Sequence, residues 1–177
     1  MLEDRTCLVT GGSRGIGRAI ATEFGRHGAD VVVNYRSSEA AAEATAEAID
    51  GTDGAAMTAQ ADVSEYGAVE AMRTAVHEEF GGVDVLVNNA GITADRRFEE
   101  MTREDWDRVM DVNLGGTFNC THCFFDDLRA AEEGRLINIS SVVGQQGNYG
   151  QANYATTKSG LFGFTRTLAL ELAAEGS

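Results

Sequence analysis

Lysine is almost absent from this chain: 13 of its 14 basic residues are arginine, and Lys158 stands alone. An arginine bias that relaxes at one position points to a place where a compact ammonium is needed, since a forked guanidinium has another shape and cannot shuttle a proton. A single lysine left over in an arginine-rich composition is the plainer alternative. Positive charge is scarce altogether. The 28 acidic against 14 basic side chains leave a net charge of −14, which argues against holding a nucleic-acid backbone by bulk electrostatics. The acidic residues are scattered through expected helices (Glu39, Glu43, Glu47; Glu99, Glu100, Glu104, Asp105, Asp107) and read as a solvated surface, for which adaptation to high salt is one hypothesis. No run approaches the roughly 18 apolar residues of a membrane span. The N-terminus reaches Glu3, Asp4 and Arg5 before a signal-peptide core forms, so a soluble cytoplasmic protein without a membrane partner is expected.

Cysteine is also rare. Cys7, Cys120 and Cys123 make no disulfide framework, and Cys120-Thr121-His122-Cys123 lacks a second ligand pair, so small buried thiols are expected rather than zinc ligands. His27, His77 and His122 share no metal-ligand spacing, and no metal is expected.

What is present is a regular alternation. The chain has 177 residues, 43% of them hydrophobic, and suits one domain over 1–177 with a substantial core. Strands are expected at 7–10, 31–34, 55–59, 83–88 and 136–140, with helices at 16–27, 39–49, 65–80, 103–129 (broken near Gly115-Gly116) and 152–173. Thr102-Arg103-Glu104-Asp105 has the form of a capping box. Strand followed by helix, repeated, predicts an α/β fold with a parallel sheet covered on both faces.

The first strand runs into Thr10-Gly11-Gly12-Ser13-Arg14-Gly15-Ile16-Gly17. Glycines there permit a tight turn and let a diphosphate approach the backbone, its charge received by the amino end of the next helix. Further on, Tyr154 and Lys158 are spaced to share one helical face, where the cation would stabilise a phenolate. Taken alone, tyrosine and lysine at this spacing also occur on many solvated helices.

Together these motifs resemble the short-chain dehydrogenase/reductase family, along the whole chain. Gly11, Gly15 and Gly17 match its cradle, with Ser13, Arg14 and Ile16 between them; Asn88-Asn89-Ala90-Gly91 matches its segment after strand four; Asp62, followed by Val63, matches its adenine-contacting acid. The resemblance implies a Rossmann-type doubly wound parallel sheet with five of the family's seven strands. It also implies a catalytic set of Asn113, Ser141, Tyr154 and Lys158, in which the family's interval selects Ser141 over Ser140. Tyr154 and Lys158 then also contact the cofactor, Lys158 through the nicotinamide ribose, and the backbone near Asn113 holds a water. Asn113 equally suits a helix kink, and both roles can coexist.

Strand two ends in Asn34-Tyr35-Arg36, without the acidic residue that accepts the ribose of NAD. Arg36 with Arg14 would clamp the 2′-phosphate of NADP, although either also suits plain surface charge. NADP is therefore expected, in preference to NAD. Within the family, the segments around Ser141 and Tyr154 look like those of 3-oxoacyl carrier-protein and acetoacetyl-coenzyme A reductases. The expected activity is reduction of a 3-oxoacyl thioester or related ketone, with a non-catalytic nucleotide-binding or assembly module, or action on another alcohol or ketone, as alternatives. By the same resemblance the helices at 103–129 and 152–173 imply homodimers or homotetramers of the intact parent, although Trp106, Val109, Met110, Leu161, Phe162, Phe164 and Leu168 equally suit the core. Family members continue through two further strands, a Pro-Gly turn and a lid, so a C-terminally truncated member is expected. The absence of proline, where roughly nine would be average, agrees in part.

Overall fold

Alternate residues of the first strand face opposite sides of a sheet: Cys7 and Val9 enter one core, Leu8 the other, and all three are fully buried. Burial on both faces is why the strands read as continuous apolar runs rather than alternating ones. The computed structural model describes residues 2–52 and 54–175. Its strands are β1 (Thr6–Val9), β2 (Asp30–Tyr35), β3 (Ala56–Gln60), β4 (Val85–Asn88) and β5 (Arg135–Asn138), all parallel in the order β3-β2-β1-β4-β5. The α/β class and the Rossmann-type sheet are as expected. Strand order reverses between β1 and β4, so a crevice opens outside the carboxyl ends of these two strands.

Helices α1 (Gly15–Arg26) and α2 (Glu39–Asp50) cover the Cys7 face, where Ala21, Ala42 and Ile49 are buried. Helix α3 (Tyr66–Phe80) covers the Leu8 face through Val69, Met72 and Val76, beside Cys120 and Phe124. The expected long helix from 103 is in pieces: α4 (Arg103–Met110), a π-helical turn (Asp111–Gly115), α5 (Gly116–Cys123) and α6 (Phe125–Ala130). Beyond β5 come the short α7 (Val143–Gln146) and the long α8 (Ala152–Glu175), which packs on α4 and α7. Val109 and Leu161 belong to the buried interior, while Trp106, Met110, Phe162, Phe164 and Leu168 are half-buried. Strand β5 is an outer strand, and its Ile137 is 40% exposed.

Three local expectations are refined. The capping box is formed: Thr102 accepts from Asp105 N–H at 3.0 Å, and Asp105 accepts from Thr102 N–H at 3.1 Å. Asp105 is consequently not a merely solvated acid. Its bonds to Thr102, and then Arg96 at 2.7 Å, hold its carboxyl below the usual range. Cys7 and Cys120 are buried, but Cys123 is only partly so. Burial pushes the Cys7 thiol up to about 12 and raises Cys120 as well. The last strand ends at Asn138, short of Ser140, because the chain turns there to meet α8.

Candidate active site

The turn after β1 is held open by hydrogen bonds rather than by side-chain bulk. Thr10 Oγ1 accepts from the N–H groups of Asn89 and Ala90, both at 3.0 Å, and Asn89 Nδ2 donates to Thr10 O at 2.9 Å. Gly11 adopts a φ of +62° and Gly15 one of +57°, both in the left-handed region that favours glycine. Gly17 has a different reason: a Cβ there would lie 2.3 Å from Gly11 O, so α1 can approach the turn only without one. Helix α1 begins with no capping side chain and no acidic residue in its first turn. Its first N–H groups thus face the turn as anion acceptors.

A cavity of about 430 Å³ opens at this turn. Gly11, Ser13, Arg14 and Ile16 line it from the turn and α1, Asn34 and Arg36 from the end of β2, and Asp62 and Val63 from beyond β3. Asn89, Ala90 and Gly91 complete it from the end of β4. Sequence reasoning missed Arg108 and Val112, which also line it. No local signal marked them, because their place in the lining depends on where α4 and the π-helical turn pack. Three arginines, Arg14, Arg36 and Arg108, thus line one cavity together with a single acidic residue, Asp62. An uncapped helix start and a cationic lining in a chain of charge −14 fit a polyanionic dinucleotide. Asn34, 1% exposed, shapes this wall: both Nδ2 protons go to Ala59 O and Ala61 O, at 3.1 and 3.2 Å, and its Oδ1 accepts from Gly11 N–H at 3.2 Å.

The four residues expected to do chemistry lie outside that lining, as do Gly15 and Gly17. Gly91 joins the two regions, since a Cβ there would sit 3.3 Å from Asn113 Oδ1 and 3.7 Å from Lys158 Nζ. Asn113, on the π-helical turn, pairs with the backbone of Ile92 in both senses: Ile92 N–H donates to its Oδ1 at 2.8 Å, and its Nδ2 donates to Ile92 O at 3.0 Å. The same Nδ2 donates to Thr157 Oγ1 at 3.1 Å. Thr157 was missed by sequence reasoning, as was Asn153, whose buried amide ties α8 to Ala94 O and Asp105 O at 3.1 and 3.2 Å.

Lys158 is 5% exposed, and its Nζ donates to Ile139 O at 2.6 Å and stands 5.7 Å from the centre of the Tyr154 ring. Burial lowers its pKa from the ordinary lysine value. The adjacent serines differ sharply. Ser140 donates its hydroxyl proton to Lys158 O at 2.7 Å, whereas Ser141 Oγ accepts from Val143 N–H at 3.2 Å and keeps its proton for another partner.

Known proteins resemble this chain over nearly its whole length. Residues 5–176 match the short chain dehydrogenase family model. The chain is 45% identical over 173 residues to the 3-oxoacyl-[acyl-carrier-protein] reductase FabG of Staphylococcus epidermidis, covering 98% of this chain and 71% of that protein. It is 46% identical over 172 residues to the FabG of Staphylococcus aureus, covering 97% and 70%. It is 45% identical over 175 residues to the 3-oxoacyl-[acyl-carrier-protein] reductase of Synechocystis sp., covering 99% and 71%. With its parallel sheet, glycine turn and family match over nearly its whole length, the chain belongs to the short-chain dehydrogenase family of oxidoreductases.

Proposed function

We propose that the protein reduces the ketone of a 3-oxoacyl thioester to the 3-hydroxy compound, with NADPH as cofactor. The observation that carries this reading is the buried Lys158 ammonium, fixed by Ile139 O at 2.6 Å beside the Tyr154 ring. NADPH, when bound, supplies the hydride to the carbonyl carbon. Ser141 and Tyr154 hold the carbonyl oxygen between their hydroxyls, and Tyr154 gives that oxygen its proton. Lys158 favours the phenolate that remains, and Asn113 keeps the Ile92 segment against the same site. The relatives' names, 3-oxoacyl-[acyl-carrier-protein] reductases, support the substrate class. Arg14, Arg36 and Arg108 facing one cavity, with no acid at the end of β2, support NADPH over NADH.

An acetoacetyl-thioester assay following NADPH oxidation tests the reading. Tyr154→Phe is expected to lower kcat by about 10²–10⁴-fold, the usual contribution of a positioned proton donor. Undiminished turnover in that variant overturns the mechanism. NADPH binding without ketone-dependent oxidation by the wild-type chain would instead support a nucleotide-binding module.

A further inference from the structure

At the rim of the cofactor cavity, the two carboxylate oxygens of Asp62 do different things. Oδ1 accepts from the main-chain N–H and the hydroxyl of Ser64, at 3.0 and 2.6 Å, which fixes the plane of the carboxylate. Oδ2 faces Nη1 of Arg36 at 3.7 Å. The backbone of Arg36 is tied to the same stretch of chain, since its carbonyl accepts from Gln60 Nε2 at 3.1 Å. Arg14 and Arg108 line the same cavity and form no ion pair among the described residues. One of the three cavity cations therefore has a resident counter-ion, held ready by a serine two residues on.

Resting on the NADPH reading above, we propose that Asp62 sets the strength of discrimination for the cofactor's 2′-phosphate by acting through Arg36. A ligand that carries a 2′-phosphate must draw the guanidinium away from Asp62 or share it. A ligand without that phosphate leaves the pair intact. The side chains of Arg36 and Asp62 are 58% and 31% exposed, so the pair is weak enough for a phosphate to overcome. A phosphate brings more charge than one carboxylate and three acceptor oxygens, and the fork of Arg36 suits it. Asp62 thus diminishes a preference that Arg36 creates. It is a specificity-determining residue whose effect requires its partner.

Calorimetric titration with adenosine 2′,5′-bisphosphate and with 5′-AMP tests this without turnover, because the two probes differ only in the 2′-phosphate. The readout is the ratio of their dissociation constants for the wild type, Asp62→Asn, Arg36→Ala and the double variant. Asparagine keeps an oxygen for Ser64, and Arg36 is exposed, so neither change removes a buried contact. Both probes read the same folded fraction, and any adenine contact of Asp62 cancels in the ratio. Asp62→Asn is expected to raise the preference for the 2′-phosphate about two- to fivefold, the worth of an exposed ion pair. Arg36→Ala is expected to abolish most of that preference. On the Arg36→Ala background, Asp62→Asn should change the ratio by less than about 1.5-fold. A wild type indifferent to the 2′-phosphate overturns the NADPH reading and this inference with it. A wild type that prefers the phosphate, with a ratio unchanged or lowered by Asp62→Asn, overturns this inference alone. An equal rise with and without Arg36 also overturns it, by assigning the effect to direct repulsion.

Discussion

Lys158 is held in place by three separate contacts, one through its side chain and two through its backbone. Its Nζ is fixed by Ile139 O, its own carbonyl accepts from Ser140, and its backbone lies so close to α7 that a Cβ at Gly144 would sit 2.7 Å from Lys158 C. The ammonium is nonetheless in a poor place for stability, because burial lowers its pKa from 10.5. The folded state then binds fewer protons than the unfolded chain at pH values between the lowered and the ordinary value. Stability should therefore rise with pH through that window, and the penalty is fully present below it. Lys158→Met should remove the penalty. The orphaned Ile139 carbonyl offsets part of the gain, but desolvating an ammonium costs more than losing one hydrogen bond. We expect stabilisation of about 0.5–2 kcal/mol together with loss of the ketone reduction proposed above, the exchange common where a residue serves activity at the expense of stability. Urea unfolding at neutral pH checks the first half and the thioester assay the second. A destabilised variant would mean that the Ile139 bond outweighs the burial of charge. Of this arrangement, the pairing of Tyr154 with Lys158 was legible in the sequence from helical spacing. The bonds to Ile139 and Ser140 were not, since they depend on where the end of β5 meets a helix 18 or 19 residues further along.

Among the elements, the π-helical turn Asp111–Gly115 explains how one asparagine serves two segments. A wider turn within a helix displaces the residues around it, and such turns recur at functional sites. Here Asn113, 1% exposed, meets the Ile92 backbone, while its own carbonyl accepts from Thr117 Oγ1 at 2.8 Å. The glycine pair 115–116 signalled a break in the sequence, and the break is there. Its type was not legible, because no local residue pattern encodes it: the partner that stabilises the turn is Ile92, 21 residues earlier. The second break, at Phe124, was missed for a related reason, since that ring is fully buried in the sheet-side core and tertiary packing rather than propensity ends α5 there. Asn113→Ala should leave both backbone groups of Ile92 without their side-chain partner, at a cost of about 1–3 kcal/mol. Chemical denaturation measures that directly. An unchanged unfolding midpoint would show that the turn persists without its asparagine.

At the scale of the whole molecule, two opposite electrostatic demands coexist. The cavity gathers three arginines against one carboxylate, whereas the chain as a whole carries a charge of −14. The parallel sheet order makes this separation possible, since the turns that build the cavity all leave the carboxyl ends of β1 to β4 and the helices carry the acidic surface elsewhere. The positions of the strands and the glycine turn were legible because apolar runs and glycine spacing are local, whereas the order of the strands across the sheet is not written in any local pattern. The presence of Arg108 in the lining was not, since it needs α4 to be placed over the crevice. On α2, Glu39, Glu43 and Glu47 stand one turn apart and all are exposed, a row of like charges that weakens its own helix. Exposed pairs such as Arg26–Glu23 and Arg103–Asp107, at 3.1 and 2.7 Å, offset little of this, because solvent screens them. Raising the salt from about 0.1 to about 1 M shortens the screening length from about 10 to about 3 Å, which relieves repulsion across the surface more than it weakens contact pairs. The thermal midpoint of the protein should therefore rise with potassium chloride over that range. A flat or falling midpoint would mean that the surface repulsion is already balanced by local pairs, and that the acidic composition has no bearing on stability in salt.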